Sequence, residues 1–392
     1  MNRLPSFHAF QRKANWVIAL VSELMSGLFR FYARCHCGRG GTDPRSWRSV
    51  LIVGDNHIGD ILYRSSSLAA LKAGLPNCEI YYLTAMNTAA LLENNPALKA
   101  VLPWARTDSP LDLLPQHMAE LKAFRFDAVL STNAIRYWPE LLLAIRLGVP
   151  NRVGYVHKGF SGWVTHPMPF VYPQPYPAYF RNYVAALTKN MSYWSLSPQL
   201  HFNSADHEEA EVVWSHFELE PGRPVIACFM TTRQQLGALP AEMVGKSLCQ
   251  MKRLVSAQLV LLGSKEDEAI LSEVNVAYNL EAKVIAGRLG LRALAVFLHR
   301  CHAVLTPDSG PRHLANISGI PVFFFRNLAV SCVETGSYVD TEIDLCPSDI
   351  ERLNALEHRR VLSAISPVEV AGCIVAGLCW LPDRVVTSGS DS

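Results

Sequence analysis

The chain is short of net charge, of long apolar runs and of paired cysteines, and each shortage excludes a class of protein. Its 392 residues carry 36 Lys and Arg against 34 Asp and Glu, for a net charge of +2. That balance gives no global drive toward nucleic acid, and no nucleic-acid partner is expected. No apolar stretch reaches the roughly 20 residues of a membrane-spanning helix. The ten cysteines contain no CxxC pair; only Cys35-His36-Cys37 is tight, and nothing completes it as a zinc site. Reduced thiols in a reducing compartment are the reading that fits, and no metal site is expected. Asp-x-Asp is missing from the strand-end loops, and no GxxxxGK[ST] is present. Nor is there a GxGxxG after a strand, since Gly54 and Gly59 lack that spacing, which counts against a dinucleotide oxidoreductase.

What is present is globular. Apolar residues are 49% and charged residues 18% of a chain long enough for two domains. Residues 16–32, WVIALVSELMSGLFRFY, place Trp16, Leu20, Leu24 and Leu28 on one helical stripe. Glu23 lies within the stretch and Arg12, Lys13, Arg30 and Arg34 are interspersed with or flank it; no small-x-small cleavage site follows, so a signal peptide is not expected. Two readings stay open: a helix lying in a membrane interface, or a helix packed on the first domain. Residues 38–48, GRGGTDPRSWR, read as a linker.

From there the pattern alternates. Strands are expected at 49–53, 79–84, 100–104 and 128–131, with helices up to about 73, near 89–94, near 116–124 and at 139–147. Residues 154–200, rich in Tyr, Trp, Pro and Gly, read as surface loops. After a helix near 206–217 the alternation restarts, with strands at 225–230, 258–262, 283–285, 303–306 and 322–325. The helices between them fall at 241–256, 266–276, 291–300 and 311–318. Two parallel sheets covered on both sides follow, an α/β chain of tandem doubly wound units. Their ligands are expected outside the carboxyl ends of the strands, in the cleft between the units.

The chemistry-bearing residues cluster at those ends. LIVGDNHIGDIL, residues 51–62, puts Asp55, Asn56, His57, Gly59 and Asp60 into one strand-to-helix turn. Gly59 permits close approach of backbone to ligand. Asp60 is a candidate general base, or else a helix cap; His57 is the rival base, or else a loop residue facing solvent. In the second unit, Thr231, Thr232 and Arg233 follow one strand, Ser264, Lys265 and Glu266 the next, and TPDSGPRHLA, residues 306–315, a third. There Ser309 is a plausible cap, Gly310 clears space for a phosphate, and the helix start would attract an anion. Hydroxyls and helix N-termini at successive strand ends describe a nucleotide diphosphate site.

These two turns, with FRFDAVLSTNAIRYWPELLLAIRLGVPNRVGY between them, resemble glycosyltransferase family 9, the bacterial lipopolysaccharide heptosyltransferases. The similarity covers roughly residues 49–378. It implies a GT-B fold, with an acceptor domain at 49–200 and a nucleotide-sugar domain at 201–380; residues 1–48 are an extension outside the family pattern, and 381–392 are expected to form a flexible tail. It implies inverting, metal-independent transfer without a cofactor, with Asp60 as catalytic base and Gly59 and His57 on the acceptor side. Thr231, Thr232, Arg233, Glu266 (or Asp267), Asp308, Ser309, Gly310 and His313 would bind the donor. It further implies ADP-heptose as donor, a lipid-linked or envelope saccharide as acceptor, and a place in the cytoplasm at the inner membrane. One departure stands out. Leu236 occupies the position of the lysine expected to neutralise the donor diphosphate, leaving Arg233, Lys265 or Arg312 to replace it. A catalytically weak nucleotide-sugar binding protein, or a different donor sugar, therefore stays open.

Overall fold

The computed structural model describes residues 7–54, 57–104, 115–133, 138–190, 194–220, 222–233 and 237–378. The chain divides into two compact units, one reaching Tyr172 and including Pro177–Ser195, the other Pro173–Tyr176 and the chain from Leu196 onward.

Each unit is built on a six-stranded sheet, parallel throughout. The first comprises β1 (Ser49–Val53), β2 (Glu79–Ala85), β3 (Ala100–Trp104), β4 (Ala128–Ser131), β5 (Asn151–Gly154) and β6 (His166–Pro167), in the order β3-β2-β1-β4-β5-β6. The second comprises β7 (Val225–Phe229), β8 (Gln258–Gly263), β9 (Lys283–Ala286), β10 (Ala303–Pro307), β11 (Val322–Phe325) and β12 (Glu342–Asp344), in the order β12-β11-β10-β7-β8-β9. Both are the Rossmann order, one read from either edge. The strand direction of winding reverses between β1 and β4 in one unit and between β7 and β10 in the other. The central strands read as unbroken apolar runs, SVLIV and VIACF, because helices cover both faces and bury almost every side chain.

The strands and helices expected up to residue 147 and from 206 to 325 all form, most within one to three residues of their expected ends. The helix near 89–94 is instead a short one, Met86–Ala89, followed by a 3₁₀ turn at Ala90–Leu92. The surface-loop expectation for 154–200 is corrected. That region carries β6 and a helix, Tyr176–Thr188, whose Tyr179, Phe180, Tyr183 and Val184 are buried in the first unit. Aromatic residues at helical spacing are its signal, masked by Pro173, Pro175 and Pro177. Pro177 costs little because it falls in the first turn, where its missing N–H has no intrahelical partner anyway. Beyond 325, β12 and the helices Ala355–Ala364 and Pro367–Leu378 complete the second unit. The last packs Val370, Ala371 and Ile374 into the same core as Met243, Val244 and Leu248. The tail expected at 381–392 lies outside the described residues.

Candidate active site

In an open parallel sheet the crevice for a ligand opens where the strand order reverses. Both motif turns sit at such points. The turn bearing Asp60 follows β1, next to β4. The turns bearing Thr231 and Ser309 follow β7 and β10, which are neighbours.

In the first unit, β1 runs into Gly54, whose N–H bonds the Leu83 carbonyl at 2.8 Å. A Cβ here would fall 2.2 Å from a Tyr82 ring carbon, so only glycine lets the chain pass. Asp55 and Asn56 lie outside the described residues. His57 holds the N-cap position of the helix Ile58–Gly74 in extended conformation; its ring is exposed and makes no capping bond. Gly59 and Asp60 are the second and third residues of that helix, both half-buried. Asp60 therefore lies inside the first turn, where the helix dipole favours a carboxylate, and the N-cap position itself is His57's.

A group the sequence reasoning missed lies beside it. Arg64, one turn on and buried, reaches the Asp60 carbonyl with Nη1 at 3.3 Å. At the end of β4, Thr132 donates to the Val53 carbonyl at 3.0 Å. Ser131 donates to the buried carboxylate of Glu140 at 2.6 Å. Burial pushes the nearby Tyr155 phenol upward, with Arg64 opposing that shift and Glu140 adding to it. The available signal was a lone acid in the apolar helix WPELLLAIR.

In the second unit, Thr231 and Thr232 are half-buried after β7 and Arg233 is exposed. Leu236 lies outside the described residues. After β8, Asp267 accepts from both the N–H and the hydroxyl of Ser264 at 2.7 Å. Asp267 is thus the capping partner, which leaves Glu266 as the ribose candidate. The exposed Glu266 carboxyl is held below its usual range by its own backbone N–H and by the Ser264 hydroxyl.

After β10, Ser309 holds the N-cap position of the helix Gly310–Ile317, but its hydroxyl does not cap it. It turns back to the Pro307 carbonyl at 3.3 Å. The turn is held from beneath by Arg312, whose five N–H donors are all engaged. Nε and Nη2 grip Glu342 at 2.5 and 2.9 Å; Nη1 reaches Asp308 at 2.8 Å and the Thr335 carbonyl at 2.7 Å; Nη2 also reaches the Gly336 carbonyl at 2.7 Å. The guanidinium lies 3.5 Å over the Phe324 ring. Arg312 is therefore not available to replace the missing lysine; of the described candidates, Arg233 and Lys265 are exposed. Burial raises the Asp308 carboxyl and Arg312 opposes it. Burial drives His313 well below its ordinary pKa, so the ring is neutral; Nδ1 meets the Tyr338 hydroxyl at 2.8 Å. Asn316 donates to that hydroxyl at 2.7 Å. Asn316, Tyr338 and Glu342 gave no sequence signal of their own, because the last two come from residues 25 or more further along the chain.

Two Rossmann-ordered sheets, each with polar turns at its switch point, define the GT-B class of glycosyltransferase. The model of glycosyltransferase family 9 (heptosyltransferase) matches residues 116–323, and the chain belongs to that family. It is 24% identical over 288 residues to lipopolysaccharide heptosyltransferase 2 of Salmonella typhimurium, covering 68% of this chain and 79% of that protein. Among solved structures, a family 9 glycosyl transferase from Veillonella parvula aligns with a TM-score of 0.74 at 18% identity, over 87% of this chain and 99% of that one. The E. coli ADP-heptose lps heptosyltransferase II aligns with a TM-score of 0.66 at 19% identity, over 85% and 99%.

Proposed function

We propose that the chain is an inverting heptosyltransferase that moves heptose from ADP-heptose onto a lipopolysaccharide core or related envelope saccharide. The observation that carries this is the placement of both motif turns at the switch points of their sheets, in a chain of the heptosyltransferase family. In this mechanism the Asp60 carboxylate takes the proton of the acceptor hydroxyl as its oxygen bonds to the anomeric carbon. The bond from that carbon to the diphosphate breaks in the same step, and ADP leaves with the electron pair. The start of the helix Gly310–Ile317 offers its dipole to the departing phosphate. Thr231 and Thr232 offer hydroxyls to the diphosphate, and Glu266 accepts from the ribose. Asp308 and His313 hold the donor turn through Arg312 and Tyr338.

A panel of nucleotide sugars incubated with the full chain and a deacylated core acceptor tests this, read by product mass. Turnover of ADP-heptose in preference to UDP- and GDP-sugars is expected. Preference for another donor would overturn the heptose assignment, and donor binding without turnover of any sugar would favour a binding protein. EDTA is expected to leave turnover intact, because backbone and side-chain donors are assigned to the diphosphate. Loss restored by magnesium or manganese would contradict that assignment.

The missing lysine yields a further expectation. Arg233→Met should weaken ADP binding by roughly 1.5–3 kcal/mol, the scale of a hydrogen bond to a charged group, with an unchanged melting temperature because the side chain is exposed. Calorimetric titration with ADP measures it; unaltered affinity would hand the role to Lys265.

A further inference from the structure

From Trp16 on, the helices Phe7–Leu24 and Ser26–Cys37 are turned in an unusual way for a water-soluble surface. Several of their small and polar residues face the protein. Ser22 is buried and its hydroxyl accepts the Phe160 N–H at 3.1 Å; Glu23 accepts from the N–H and hydroxyl of Ser161 at 2.9 and 2.6 Å. Ala33 and Cys37 are buried, and the Phe29 ring packs against Phe160 and Trp163. Two glycines make this docking possible. A Cβ on Gly159 (φ +92°) would strike the Ser22 hydroxyl at 2.1 Å, and one on Gly162 would strike the Ser26 carbonyl at 2.2 Å.

The outward surface carries a continuous apolar stripe. Trp16 is 77% exposed and Leu24 79%, with Val17, Leu20, Val21, Leu28 and Phe31 also open to solvent. An amphipathic helix on a soluble domain buries that stripe. Of the two readings left open by the sequence, packing on the first unit is seen, and the helices present an apolar stripe away from it. The two axes bend by 69° at the break near Met25, and among the described residues no single helix is long and apolar enough to cross a membrane.

The charge around this face selects the partner. Residues 1–48 contain eight Lys and Arg and two acids, in a chain whose total is only +2. Both acids are engaged within the fold: Glu23 by Ser161, and Asp43 by the Arg45 N–H at 3.0 Å. Arg30, Arg34 and Arg39 are exposed. At the carboxyl end of the second helix, Tyr32, His36, Lys122 and Arg146 line a depression of about 320 Å³, so the cationic side chains of Lys122 and Arg146, from two further elements, edge the apolar stripe. A second copy of the chain would bring like charges together; an anionic bilayer would neutralise them.

We infer that this helix pair is a monotopic anchor for anionic phospholipid, its apolar stripe in the acyl boundary and the His36–Lys122–Arg146 depression at the headgroup phosphates. The inference does not depend on the transfer chemistry, so either can fail alone. Truncation is a poor test, because removing the helices would also uncover Phe160 and Trp163. Point variants on the outward face avoid this. The full chain is co-sedimented with phosphatidylcholine vesicles with and without phosphatidylglycerol, alongside analytical ultracentrifugation of the protein alone. The wild type is expected to bind the phosphatidylglycerol vesicles and to bind pure phosphatidylcholine more weakly. Leu20→Glu combined with Leu24→Glu should lower binding to the anionic vesicles by about ten-fold or more, as expected for charges carried into the interface. Lys122→Glu combined with Arg146→Glu should remove the preference for phosphatidylglycerol and leave the weaker binding. Both variants should keep the wild-type melting temperature. Absence of wild-type binding would overturn the inference, as would leucine variants that bind like wild type. A wild-type dimer dissociated by the leucine variants, without vesicle binding, would assign the face to self-association instead.

Discussion

Asp60→Asn is expected to lower turnover by at least about a hundred-fold, with ADP-heptose affinity and melting temperature nearly unchanged. General base catalysis typically contributes about a hundred- to ten-thousand-fold. Asparagine keeps the size of the side chain but cannot take the acceptor proton, so the loss falls on the transition state and not on ground-state binding. Stability should barely move. Asp60 is the third residue of its helix, where the interaction of a carboxylate with the helix dipole is worth about 0.3–1 kcal/mol, and asparagine keeps the hydrogen-bonding capacity of the side chain. His57→Ala is the control. Its exposed ring makes no capping bond, so its removal should cost little in either respect. Steady-state rates with saturating donor, beside a thermal melt, check the pair. A dead His57→Ala with an active Asp60→Asn would exchange their roles. Two active variants would move the base elsewhere, and the Glu140–Ser131 pair would be the next place to look.

Arg312→Met is expected to act in the opposite way, through stability. Removing one partner of a buried ion pair typically costs about 3–5 kcal/mol, because the other charge is left without its counterion. Here two carboxylates would be stranded. The side chains of Arg312 and Glu342 are 1% and 0% exposed, and Asp308 is nearly as enclosed. The carbonyls of Thr335 and Gly336 lose their donors as well. The second unit should therefore unfold at lower denaturant, and ADP binding should be lost with it, since Asp308 and the turn after it are held from this point. Arg312→Met with Glu342→Leu should recover part of the stability, because an apolar pair removes the stranded charge of Glu342. Chemical denaturation of the three proteins measures this. An Arg312→Met protein of normal stability with weakened ADP binding would instead make Arg312 a donor ligand.

The contrast between Arg312 and Arg233 shows what a sequence can and cannot display. Both arginines follow a strand-end turn, and position along the chain gives each the same claim on a diphosphate. The difference lies in Glu342 and Tyr338, which reach the donor turn only after the chain has crossed β11 and come back. Ser309 teaches a related lesson. Its position before Gly-Pro marks the helix start correctly, but rotation about one side-chain bond sends its hydroxyl to Pro307. The alternation of apolar runs with helical stretches was enough to read nine of the twelve strands as two wound units, because each central strand is buried on both faces. It failed where strands shrink to two to four residues toward the edges of the sheets, as at β5, β6 and β12, and where prolines interrupt an aromatic helix, as at Tyr176–Thr188. The buried Glu140 left one trace, a lone acid in an apolar helix, but nothing in the sequence alone said that it would meet the Ser131 hydroxyl at the end of β4.

The most direct test of the proposed reaction is the anomeric configuration of its product. The full chain is incubated with ADP-heptose and a deacylated core acceptor, and the purified product is examined by NMR. A single displacement at the anomeric carbon, with Asp60 taking the acceptor proton, predicts one new glycosidic bond of configuration opposite to that in the donor, formed with one equivalent of ADP. A product of retained configuration, or release of ADP without a new glycoside, would contradict it.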